Sequence, residues 1–232
     1  MSGPTQKVLR RLVVGVTGAS GAIYAHRLVG VLRAAGVEVH LVVTDAARRV
    51  FREELGWDGE NLADWVGRTW VWPPEGGGAG SLAAEESRPG ERKGMASRDV
   101  FLYDNEDVGA PVASGSFRTR GMVVVPCSMG TLGRLATGSG EKLLERAADV
   151  ALKEGRPLVL VPRETPLTAI HLENMLRLAR AGAAILPAMP AFYHRPRTVD
   201  DLVNFVVGKI LDRLDLSAPD VYARWGEGSK GE

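Results

Sequence analysis

The chain contains a single cysteine, Cys127, among 232 residues. One thiol excludes an internal disulfide framework and any multi-cysteine zinc site, and it fits a reducing compartment. Histidine is scarce as well. His26 and His171 fall in helical patterns and His40 in a strand pattern, with no ligand spacing such as H-E-x-x-H, so no structural or catalytic metal is expected. Excess charge is missing too: the formal net charge is +1. Without a strong field, neither a nucleic-acid nor a membrane partner is expected, and any phosphate must be held by a few placed groups. No apolar run approaches the roughly 20 residues that cross a bilayer. Met1 to Arg11 lacks the apolar stretch of a secretory signal, so a cytoplasmic protein is expected. What remains is ordinary globular composition, 45% apolar and 25% charged, on a chain long enough to bury one substantial core.

The pattern along the chain is alternating. Leu12 to Thr17 is a short β-branched run, followed by the glycine turn Gly18-Ala19-Ser20-Gly21. Tyr24, Leu28, Val31, Leu32 and Ala35 then recur at helical spacing, Gly36 stands at a C-cap position, and Val37 to Val43 is a second strand. This is one βαβ unit on a parallel sheet. Asp45 to Leu55 reads as a helix with Thr44 as its N-cap, and Asn61 to Val66 as a short helical turn. Pro73 to Ser97, with Pro73-Pro74 and Gly76-Gly77-Gly78, buries too little to order itself and is expected to be a mobile insertion at about 73–100. Order resumes near Phe101. Met122 to Val125, Leu158 to Val161 and Ala183 to Leu186 read as strands. Thr131 to Ala136, Glu141 to Lys153, a face of Leu172, Met175, Leu176 and Ala179, and a stripe from Val199 to Leu214 read as helices. The expected fold is α/β: a Rossmann-like, doubly wound parallel sheet in three α/β/α layers, one domain over residues 1–232.

In such sheets ligands sit beyond the carboxyl ends of the strands. Three unusual segments fall there: Gly18 to Gly21, Cys127 to Thr131, and Pro162 to Pro166. The first is a glycine turn opening a helix, suited either to a phosphate or to plain chain reversal. It is not G-x-G-x-x-G, and Thr44, not an acidic residue, ends the second strand, which favours a mononucleotide such as FMN over NAD. Cys127-Ser128-Met129-Gly130-Thr131 offers hydroxyls and backbone donors, or an ordinary helix cap. Cys127 has no activating partner nearby in sequence and reads as a small buried residue. Arg163-Glu164 lies between prolines; the Arg suits a flavin or phosphate contact, the Glu a proton, and a surface ion pair is the alternative. Arg146 and Lys153, seven residues apart, share a helix face that would hold a phosphate or simply meet water. Tyr193 is a phosphate-contact candidate, and Lys209 joins it only if the two meet, since such a lysine otherwise snorkels to water.

Six segments in one order resemble the flavin prenyltransferases of the UbiX type: Val14 to Ala22, Ser114 to Phe117, Pro126 to Ser128, Glu145 to Val150, Pro157 to Pro166 and Pro190 to Pro196. The match runs from about Arg11 to Trp225. The resemblance implies FMN without a metal, and assembly as dodecamers of trimers with sites between subunits. It places Gly18, Ala19, Ser20, Thr44, Ser128, Met129, Gly130, Thr131 and Arg163 at FMN positions, and Tyr193 and Lys209 at dimethylallyl phosphate positions. Arg146 and Lys153 match basic residues near that phosphate, Glu54 and Glu164 match catalytic carboxylates, and Trp225 matches an aromatic residue that closes the site. The implied reaction joins a dimethylallyl group to N5 and C6 of reduced FMN, and a UbiD-type decarboxylase receives the prenylated FMN. Thr44 stands where many members have Ser, which keeps the hydroxyl.

Overall fold

The computed structural model describes residues 10–57, 65, 69–70, 82–83, 99–216, 221–222 and 224. Strands β1 (Arg11–Val16), β2 (Glu38–Val43), β5 (Val100–Asp104), β6 (Met122–Cys127), β7 (Leu158–Pro162) and β8 (Ala184–Ile185) form a six-stranded sheet in the order β5-β2-β1-β6-β7-β8. All its pairings are parallel. Helices α1 (Ala22–Ala34), α2 (Asp45–Leu55), α3 (Met129–Thr137), α4 (Leu143–Lys153), α5 (Ala169–Arg180) and α6 (Val199–Arg213) supply the crossovers and the closing layer. The chain starts in the middle of the sheet, winds outward to β5, then returns to β1 and winds the other way. The point of reversal lies between β1 and β6, and in such sheets the loops above it form a crevice.

Period-two side-chain alternation divides β1 between the two layers. Leu12, Val14 and Val16 face α1, α2 and α6 in one apolar cluster, while Val13 joins α3, α4 and α5 in the other. The central strands are buried along their length, as a sheet covered on both faces requires. Local signals set the helix ends. Thr44, Ser128, Thr168 and Thr198 each accept a backbone N–H through the side chain at an N-cap. Gly56 and Gly138 close α2 and α3 in left-handed conformation.

Three sequence expectations change. β5 continues the sheet where only a return to order was expected. Helix α5 buries Met175 and Leu178, whereas Leu172 and Leu176, read on one helical face with Met175, are 53% and 51% exposed. The α5 pattern is therefore two-sided, and with Ile170 and Phe192, 68% and 69% exposed, it leaves an apolar outer surface of the kind that marks association. Within the expected insertion, Leu82–Ala83 (β4) pairs antiparallel with Thr69–Trp70 (β3). The rest of 73–98, and the expected helical turn at 61–66 apart from Trp65, lie outside the described residues.

Candidate active site

Thr17, 1% exposed, fastens the switch point. Its hydroxyl donates to the Pro126 carbonyl at 2.8 Å and accepts the Ser128 N–H at 2.7 Å, so the loops after β1 and β6 are tied through one side chain. The loop after β7 joins them: Arg163 Nε donates to the Ser20 carbonyl at 3.1 Å. Ser20, Ser128 and Arg163, up to 143 residues apart in sequence, therefore stand at one edge of the sheet. Thr17 is a site residue that the motif reading did not single out; a buried hydroxyl ending an apolar strand is its only sequence signal.

The start of α2 packs on the same turn. An added Cβ on Gly18 would lie 2.4 Å from Ala46 Cβ, so glycine is needed for close approach of Thr44–Ala46 to the β1 loop. Gly18→Ala is expected to lower stability by about 1–3 kcal/mol through overpacking, measured as a reduced midpoint in urea with an unchanged slope. Thr44 Oγ1 caps α2 by accepting from Ala47 N at 3.2 Å. Ala19 is 5% exposed, and Met129, Gly130 and Thr131 form the first turn of α3.

Glu54 reaches back from the end of α2 to the start of α1. Its carboxylate accepts the Gly21 N–H at 2.9 Å and the Ala22 N–H at 2.8 Å. The anion favoured by that helix terminus is thus an internal carboxylate. This narrows the expectation for the glycine turn: two of the donors offered to a phosphate already hold Glu54. Glu164, partly buried beside Arg163, accepts from Thr165 N at 3.0 Å.

The other candidates form two further groups. Phe205, Val206 and Lys209 of α6 line an apolar cavity of about 480 Å³ with Leu186, Pro187 and Met189. Tyr193 stacks edge-on against Phe205, ring centroids 5.9 Å apart, one helical turn before Lys209. The Lys209 ammonium lies 4.0 Å from Asp212, which also accepts from the Tyr222 hydroxyl at 2.7 Å and Arg224 at 2.7 Å. Trp225 lies outside the described residues. Arg146 and Lys153 line a different cavity, about 290 Å³, between α3 and α4. Both side chains are exposed, and none of Ser20, Glu54, Ser128, Arg163 and Glu164 borders that cavity.

Cys127 is fully buried, and burial pushes its thiol up to about 12 against the opposing pull of the Arg134 charge. A thiol so protonated is a poor nucleophile. Native protein is expected to react with a disulfide reagent only after denaturant is added, followed by absorbance. Among the described residues no group of His, Cys, Asp and Glu could hold a metal ion, and no helix is long and apolar enough to cross a membrane.

Known proteins share this arrangement. The family model described as Flavoprotein matches residues 2–211. A flavin prenyltransferase UbiX from Alkalihalophilus pseudofirmus is 48% identical over 223 residues, covering 96% of this chain and 100% of the relative. A crystal structure of AnUbiX (PadA1) in complex with FMN and dimethylallyl pyrophosphate superposes with a TM-score of 0.77 at 38% identity, covering 95% of this chain and 100% of that one. A dodecameric FMN-dependent UbiX-like decarboxylase from Escherichia coli O157:H7 gives 0.73 at 42% identity, covering 93% and 98%. With a family model matching residues 2–211 and a relative 48% identical over nearly the whole of both chains, the chain belongs to the flavoprotein family, among the UbiX flavin prenyltransferases.

Proposed function

We propose that this protein is a flavin prenyltransferase that moves the dimethylallyl group of dimethylallyl phosphate onto N5 and C6 of reduced FMN, giving prenylated FMN for a UbiD-type decarboxylase. The observation that carries the reading is the joining of Ser20, Ser128 and Arg163 above the β1–β6 reversal.

The residues there fit FMN. Gly18 keeps the turn tight against Ala46, Thr44 and Ser128 present hydroxyls, and the first turn of α3 presents the backbone N–H groups of Met129 and Gly130 to an anion. Arg163, fixed by Ser20, supplies a positive charge to the same crevice. Reduced FMN supplies the electron-rich nitrogen and carbon that take the prenyl unit.

The protein's own groups serve the rest of the reaction. The leaving phosphate departs with the C–O bonding pair, so negative charge grows on it. Arg146 and Lys153, with Tyr193 and Lys209, neutralise that charge. The proton lost from N5 as it takes the prenyl unit goes to the departing phosphate, and ring closure then requires one proton delivered to the allylic fragment and one removed from the flavin ring carbon. Glu164 is the acid–base group for this exchange, and Glu54, immobilised by two backbone amides, helps place the proton. The apolar cavity beside Lys209 houses the isoprenoid, and cover by a neighbouring subunit excludes water that would capture a cationic fragment as an alcohol.

Arg146 and Lys153 act from a neighbouring subunit. Their cavity is separate from the switch point, the exposed apolar surface of α5 needs a cover, and the E. coli relative is dodecameric. We assign the same assembly here, in the cytoplasm. Dimethylallyl phosphate at about a hundred times its Kd should raise the Tm of the FMN-loaded protein by roughly 5–10 °C. A flavin carrier without a donor site would show no shift.

A further inference from the structure

Three cations, Arg134, Arg146 and Lys153, and two carboxylates, Glu145 and Asp149, border the cavity between α3 and α4. Arg134 is already committed. Its Nε and one terminal nitrogen both reach Glu145 Oε1 at 2.8 Å, and that terminal nitrogen also donates to Thr131 Oγ1 at 3.2 Å. The Glu145 side chain is 2% exposed. Its other oxygen accepts the Lys142 N–H at 3.2 Å, and Gly140 lies so close that a Cβ there would stand 2.2 Å from Glu145 Cβ. The carboxylate is therefore built into the loop and has no path to water. Pairing cancels Arg134, which leaves Arg146 and Lys153 opposed only by Asp149.

Taking this cavity as the donor-phosphate site, and so resting on the reading above, we propose that Glu145 is a specificity-determining residue. By neutralising Arg134 and occupying two of its nitrogens, it matches the cavity to a phosphate monoester and against a diphosphate. A monoester carries up to about two negative charges at neutral pH. A diphosphate brings more charge and more acceptor oxygens than Arg146 and Lys153, opposed by Asp149, can pair. The group suited to receive them is a guanidinium, and the one at hand is turned toward Glu145.

The test compares dimethylallyl phosphate with dimethylallyl diphosphate as donors to reduced FMN without oxygen, using full-length protein and the mass of the flavin product. Glu145→Leu frees Arg134 and should lower the monophosphate-to-diphosphate ratio of kcat/KM by about tenfold, the size of one charge-assisted hydrogen bond. Adding Arg134→Met to the same variant should restore the preference for monophosphate. Glu145→Gln, which keeps the side-chain volume, should move the ratio in the same direction and stands in if the leucine variant fails to bind FMN. With wild-type protein active, a ratio within about twofold of wild type in the Glu145 variants, or a gain that persists without Arg134, overturns the inference alone. Wild-type protein that prenylates FMN from neither donor removes the functional reading and this inference together.

Discussion

Glu164→Gln is expected to slow flavin prenylation by about a thousandfold while leaving FMN affinity within a few-fold of wild type, the scale of losing one positioned acid–base group. The side chain sits one residue past Arg163, whose guanidinium is tied to the β1 loop. The glutamate is therefore carried on the same rigid strand end as Arg163, the proposed flavin contact. Glutamine preserves the shape and the acceptor that meets Thr165 N, but it cannot exchange a proton. FMN affinity, followed by flavin fluorescence, reports whether the pocket survives; single-turnover formation of product reports the proton step. Full activity in this variant would remove Glu164 from that step.

The second large effect concerns charge. Arg146→Met combined with Lys153→Met should lower kcat/KM for dimethylallyl phosphate by about a thousandfold, because the leaving phosphate loses two charged partners. FMN binding should hold, since neither residue borders the Ser20–Arg163 crevice. The separation has a second consequence. If one subunit lends these cations to its neighbour, the Arg146/Lys153 variant and the Glu164→Gln variant, each nearly inactive alone, should recover activity when co-expressed and assembled together. A chain that completed its own site would give mixed assemblies no better than the sum of the two parents.

The order of strands and helices was legible because the buried strands are continuous β-branched runs and the helices carry caps and glycine stops. β5 was not: its Val100–Asp104 run mixes buried and exposed residues without alternation, as an edge strand allows. The α5 face read as one stripe splits in the structure, because periodicity does not say how much of a stripe meets the core. The three loops were located by their place after strands, and the sheet's reversal between β1 and β6 brings them together. Two features had no local signal. Glu54 holds the start of α1 from 33 residues away, and Arg134 meets Glu145 across 11 residues between two helices. Contacts of this kind depend on how helices stack, which no spacing rule encodes. Cys127 followed its surroundings: a thiol after a buried strand is raised, not activated.

The central claim is that one chain type holds a flavin and a small phosphorylated isoprenoid in the same dry pocket and joins them. The most direct measurement is the mass of the flavin after the purified protein is incubated without oxygen with reduced FMN and dimethylallyl phosphate. The account predicts a flavin heavier by one five-carbon isoprenoid unit, with inorganic phosphate released in equal amount. Unmodified FMN at saturating concentrations of both substrates would contradict it.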